Sequence, residues 1–242
     1  MNDLSTTESE LTELDLAGTI RPGLDILANE IVIALKKRSR FVSNAPIYTP
    51  GLVIGHPDIS LLDYQLRAAE SQHAELGRYQ FAVQEAFTEV SDIAPVVKRQ
   101  LPSSAVQSIP SGVGQKILTF YRSWIDSACR DGTEETTFGE TVTADVNALL
   151  SIMERINLGK TVAESKFREL TAEFIKTQGE REAMLELIIR KDRMQEVIDL
   201  SRRLAAHYEL DAEHVTTVFE FMMQLTIDVE IHYIRNRMAV QQ

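Results

Sequence analysis

Apolar side chains recur at helical spacing through most of the chain. Leu24, Leu27, Ile31 and Leu35 step by three or four, which puts them on one helix face. That segment ends in Lys36, Lys37, Arg38 and Arg40, cations that suit a helix C-terminus. Pro22 suits its first turn, where a missing N–H costs nothing. Leu62, Leu66, Ala69, His73 and Leu76 form a second stripe behind Ser60-Leu-Leu-Asp63, a capping-box pattern. A third helix is predicted over roughly 114–129, with Ile117, Tyr121, Trp124 and Ala128 in register. From about 141 breakers nearly vanish. Val146, Leu149, Leu150, Met153, Ile156, Val162, Phe167, Leu170 and Phe174 predict one long helix with Gly159 as its weak point. Gly179 separates it from a helix over 181–207. Asp211 caps a last helix bearing Val215, Val218, Phe219, Met222, Leu225, Val229 and Tyr233.

Between these helices the chain turns irregular. Pro46, Pro50, Gly51, Gly55 and Pro57 make 42–59 a loop, and Pro95, Pro102, Pro110 and Gly112 make about 92–113 another. Only short stretches are left for strands. The expectation is an all-α fold, a helical bundle in one domain over 14–242, behind a flexible acidic tail at 1–13.

Composition narrows the function. The 242 residues carry 25 Lys+Arg against 36 Asp+Glu, a net charge of −11. A nucleic-acid protein needs a basic face, so none is expected as a partner, nor is an anionic membrane. A locally basic pocket for a small anion remains open inside an acidic protein. The one cysteine, Cys129, forms no internal disulfide and fits a reducing compartment, so the expected location is cytoplasmic. No apolar run reaches the ~18 residues that a membrane span needs.

Motifs for common chemistries are absent. Ser111-Gly-Val-Gly-Gln-Lys116 lacks phosphate-loop spacing and follows no strand. His56, His73, His207, His214 and His232 do not pair at three or four residues, so no metal is expected. Met153, Met184, Met194, Met222 and Met223 read as core filling. What remains is polar residues on helix faces. Arg155 and Lys166 lie eleven residues apart, which returns to nearly the same face roughly 16 Å along the axis. Thr226 and Glu230 share a face one turn apart, inside an apolar stripe of Leu225, Ile227 and Val229. The plain reading of Thr226 is a hydroxyl bonded to its own i−4 carbonyl.

These residues carry a resemblance. Phe138–Phe167, FGETVTADVNALLSIMERINLGKTVAESKF, holds the pattern R-I-x-x-G-K-x-V-A-E-x-K-F. IVIALKKRSRF (31–41), IYTPG (47–51), SLLDYQLRAAESQHAELGRY (60–79) and VEIHYIRNRM (229–238) follow the same family order. Together they resemble the all-helical chorismate mutases of the fungal and plant type, over about residues 20–238. The resemblance implies a cofactor-free homodimer that converts chorismate to prephenate by a [3,3] rearrangement, on the route to phenylalanine and tyrosine. It implies catalytic roles for Arg21, Arg155, Lys166, Thr226 and Glu230. Arg21 and Arg155 would hold the two carboxylates. Lys166 and a protonated Glu230 would donate to the ether oxygen, and Thr226 would bond a carboxylate.

The pattern departs from the family at 190–196, where an acid normally accepts from the substrate hydroxyl. One register puts Met194 there with Arg190 a turn earlier. A one-residue slip puts Gln195 and Lys191 there, and a larger shift brings in Asp192 or Glu196. Relatives regulated by tryptophan and tyrosine carry basic residues and a Gly-Ser-x-x-Thr turn at a subunit interface. Here Arg78, Gly139 and Thr143 match, whereas Gly77 and Glu140 replace arginine and serine, so allosteric control is expected to be weak or absent. Two alternatives stay open: a mutase for an aminated chorismate, and a regulatory protein on the same fold.

Overall fold

The computed structural model describes residues 13–101 and 103–240; most of the expected N-terminal tail lies outside them. Asp15 opens the first element that lies wholly within the described residues. Its carboxylate accepts from the amides of Ala17 and Gly18, capping a π-helical turn at Leu16–Ile20 that runs into α1, Arg21–Arg38. Helices α2 (Leu61–Glu75) and α3 (Gly114–Ala128) follow, then α4 (Phe138–Asn157), α5 (Gly159–Glu169) and α6 (Thr171–Lys176). The chain closes with α7 (Arg181–Ile188), α8 (Lys191–His207) and the 29-residue α9, Ala212–Val240. Among the described residues the only β pairing is an isolated bridge, Pro50 to Ser60, closing the first loop.

The caps behave as their chemistry dictates. Ser60 Oγ accepts from the Asp63 amide at 3.0 Å, and Asp211 accepts from Glu213 at 2.8 Å. Gly179, at φ 78°, ends the α6 segment in the left-handed region that suits glycine.

The expected long helix is interrupted twice. At Leu158 the ladder survives: its amide bonds Glu154 and its carbonyl accepts from Val162. At Leu170 the backbone bends, to φ −121° and ψ 32°. The Thr171 hydroxyl takes the Phe167 carbonyl at 2.5 Å, in competition with the helical amide bond. The expected helix over 181–207 is likewise two, α7 and α8, because Ile189 and Arg190 are extended. The second irregular stretch begins at Leu76, earlier than expected. The carboxylates of buried Glu70 and half-buried Glu85 serve its backbone in place of a helix ladder. Glu70 accepts from the amides of Phe87 and Thr88 at 2.7 and 2.8 Å, and Glu85 from that of Ser111 at 2.7 Å.

Arg38 stands in the last turn of α1 as expected, but it does more than complement the helix end. It is fully buried, and its Nε donates to Asp145 Oδ1 at 2.5 Å. Tyr121 and Tyr48 add hydroxyl bonds to the same carboxylate at 2.9 and 2.8 Å. This satisfied network joins α1 to α4, the most extensive helix contact in the fold. Cys129 is a buried thiol beside Arg38, and burial raises its pKa.

Two apolar cores meet along α9. Leu225 and Val229 enter the larger one, with Leu35, Leu149 and Phe219. Ile227 and Ile231 enter the smaller, with Ala163, Phe167 and Ile188. At 100° per residue, Met223, Thr226 and Glu230 occupy the strip between them. The seam between the cores is where the site forms.

Candidate active site

A cavity of about 230 Å³ opens at this seam. Arg21 and Leu24 of α1, Arg155 of α4, Lys166 of α5, and Thr226 and Glu230 of α9 all line it. Residues separated by more than 200 positions thus share one wall. Leu24, expected in the core stripe of α1, faces the cavity instead, as do Met194 and Met223. Met153, Met184 and Met222 are buried core residues.

Arg155 is 6% exposed, and its buried Nε has no hydrogen-bond partner among the described residues. Its guanidinium lies 5.6 Å from the Phe219 ring centroid. Burial pushes its pKa down to about 10; Asp25 opposes that shift and Arg193 reinforces it. The group stays charged at neutral pH, desolvated and, among the described residues, without an ion-pair partner. A buried cation in that state is a receptor for an anion.

Lys166 and Glu230 face it as a pair. Lys166 Nζ donates to Glu230 Oε2 at 2.7 Å and to the Ile188 carbonyl at 2.9 Å. The second acceptor sits where α7 ends, beside the break that splits the expected single helix. Burial raises the Glu230 pKa, while Lys166 counters that rise by charge and hydrogen bond. Thr226 Oγ1 donates to the Met222 carbonyl at 2.8 Å, as its plain reading predicts, and keeps lone pairs for an incoming donor. Its methyl packs against Gly159, where an added Cβ would lie 2.9 Å from Thr226 Cγ2. Gly159 therefore brings α5 close to α9 under the site, a tighter role than a weak point in a helix.

Comparison with known proteins finds relatives of one kind. The family model for chorismate mutase type II matches residues 139–231, a span that contains Arg155, Lys166, Thr226 and Glu230. A chorismate mutase of Emericella nidulans is 29% identical over 249 residues, with 93% of each chain covered. The cytosolic chorismate mutase 2 of Zea mays is 24% identical, covering 93% of this chain and 97% of its own. The Candida albicans chorismate mutase solved in complex with L-Trp superposes with a TM-score of 0.87 at 25% identity, over 95% of this chain and 94% of that one. Over residues 139–231 the chain thus matches the chorismate mutase type II family, and over most of its length it is similar to fungal and plant chorismate mutases.

In the structure the ambiguous segment presents one pair of residues to the cavity. Arg190 and Met194 line the cavity. Gln195 does not: its amide turns outward and donates to Asp199 at 3.0 Å. Asp192 lies 3.5 Å from Arg190 on the surface, and Glu196 engages Arg193. No carboxylate of 190–196 lines the cavity. Its acids are Glu230 and, exposed at the rim, Glu169.

Arg193 is the residue that sequence reasoning missed. It lines the cavity one step of three after Arg190, a spacing that the 190/194 register passed over. The effector-type residues are not brought together within the chain. Arg78 pairs with Glu154 at 2.9 Å, at the far end of α4 from Gly139. Thr143 bonds the Gly139 carbonyl at 2.8 Å on an exposed face, beside exposed Glu140.

Proposed function

We propose that this chain is an isomerase that rearranges chorismate to prephenate, in aromatic amino acid synthesis. The observation that carries the reading is Arg155, a buried guanidinium whose Nε has no partner among the described residues, in the same cavity as the largely buried Lys166–Glu230 pair. Chorismate is a dianion whose reaction breaks one C–O bond and forms one C–C bond within the molecule. Electrons move in a closed cycle, so no nucleophile is required. The enzyme must hold the compact chair-like conformer and stabilise charge as it develops.

The residues present suit each task. Arg155, with exposed Arg21 at the mouth, receives the carboxylates, since guanidinium binds them in bidentate fashion. The Thr226 hydroxyl, which donates to the Met222 carbonyl, adds a carboxylate contact once it turns that hydrogen to the ligand. Negative charge grows on the ether oxygen as the C–O bond lengthens. Lys166 donates to it, and Glu230 does so when protonated. Both are held before reaction begins, which is preorganised electrostatic stabilisation.

An aminated chorismate is less well served. Its ammonium needs a free carboxylate, and the acids of 190–196 turn to solvent. Met194 and Arg190 occupy that wall instead. Incubating the protein separately with chorismate and with 4-amino-4-deoxychorismate, with products identified by NMR, tests the assignment. Prephenate from chorismate supports it; turnover of the amine alone overturns it.

Homodimerisation in the cytoplasm belongs to the same proposal. Fully exposed Ile54, and Val96 at 75% exposure, give apolar surface for a second copy. No helix among the described residues is long and apolar enough to cross a membrane.

A further inference from the structure

Arg193 lines the cavity, yet its guanidinium is already engaged. Nη2 donates to Asp25 Oδ1 at 2.9 Å, and Nη1 to Glu196 Oε2 at 2.9 Å. Asp25 lies on α1 one turn beyond Arg21, so this ion pair links α1 to α8 at the side of the cavity where Arg21 sits. Its side chain is 47% exposed and that of Arg193 27%, a wet pair of the weakly held kind. Inside the cavity the charge is unbalanced: Arg21, Arg155, Lys166 and Arg190 surround a single buried acid, Glu230. Arg155 feels Asp25 as an attraction and Arg193 as a repulsion, so all three share one electrostatic neighbourhood.

We propose that Arg193 is a further carboxylate-binding arginine and that Asp25 is its internal stand-in for substrate. A dianion entering the cavity takes Arg193 away from Asp25, and Asp25 thereby sets the affinity. The inference rests on the cavity being a dianion site, as proposed above. It makes a demand that a structural ion pair does not. Asp25→Asn and Arg193→Ala break the same pair, yet they must move substrate affinity in opposite directions. The first frees a cation for the ligand and the second removes it.

The test is steady-state kinetics on the full chain. Arg193→Ala should raise KM for chorismate about tenfold or more, the loss of one charge-assisted contact, with kcat moved far less. Asp25→Asn should lower KM at least about twofold, and the double variant should follow Arg193→Ala. If both single variants raise KM, or both leave it unmoved, the proposal is overturned. Should the wild type fail to rearrange chorismate, the proposed function fails by itself. The order of affinities is then read by calorimetric titration with prephenate. Absence of prephenate binding to the wild type would overturn this inference as well.

Discussion

Lys166 Nζ and Glu230 Oε2 lie 2.7 Å apart, in a cavity where the two side chains are only 17% and 6% exposed. The pair is held by the adjoining helices α5 and α9, and burial of Glu230 outweighs the pull of Lys166 on its proton. Its pKa therefore lies above the ordinary carboxylate value. Donation to the ether oxygen requires the protonated form. kcat/KM should fall as pH rises through the raised pKa, and Glu230→Gln, which always donates, should be flat there and at least as active at alkaline pH. The native state also holds this proton more tightly than the unfolded chain. Stability from Glu230 is thus complete below the unfolded value of 4.5 and is lost as pH rises through the native one. Superimposable rate profiles for the two proteins would remove Glu230 from the chemistry.

Arg155 should trade stability for activity. It is a desolvated charge whose Nε has no hydrogen-bond partner among the described residues, and the proposed function gives it to a substrate carboxylate. Arg155→Met keeps the packing against Phe219 and removes the buried charge. Thermal melting should show a Tm at or above wild type, with each 1 kcal/mol worth about 2–4 °C in a chain of this size. kcat/KM should drop ~10²–10³-fold, the usual effect of removing one preorganised donor. A variant both less stable and fully active would mean that the guanidinium is structural.

Gly159 is tested through its neighbour. Gly159→Ala forces α5 away from Thr226 and should cost about 1–3 kcal/mol of stability and much of the activity. Thr226→Ser removes the methyl but keeps the hydroxyl, so the double variant should recover both. Chemical denaturation and steady-state rates measure the recovery. An unrestored double variant would show that the close approach is not what Gly159 provides.

Amino-acid effectors should have little influence. Arg78 is tied to Glu154, and exposed Glu140 would repel an amino-acid carboxylate. Saturating L-tryptophan or L-tyrosine should change the rate by less than about twofold, below the ~5-fold where allosteric coupling usually begins. A larger change in either direction would contradict this.

Much of this architecture was legible from spacing alone. The apolar steps of α1, α3 and α9 gave those helices nearly to their ends, because their caps are local: Pro22, Asp211, and the breakers after 129. The breaks at Leu170 and Ile189 were not legible. No proline or glycine marks them. Thr171 competes for a carbonyl and Ile188 offers one to Lys166, and neither relationship shows without tertiary contacts. Arg38 looked like a helix-end cation because Asp145, its partner 107 positions away, is invisible locally. For the site, Thr226 and Glu230 stood out as polar residues within an apolar stripe. Arg155 and Lys166 looked ordinary until the family pattern singled them out. Arg193 stayed hidden because its role depends on Asp25, on a helix distant in sequence.

The most direct measurement is the loss of chorismate's enediene absorbance on adding the purified full chain, beside Arg155→Met, with the product identified by NMR. The account predicts steady loss with the wild type, prephenate as the single product, and a rate ~10²–10³-fold lower for the variant. Chorismate left intact by the wild type, or consumed equally fast by both proteins, would contradict it.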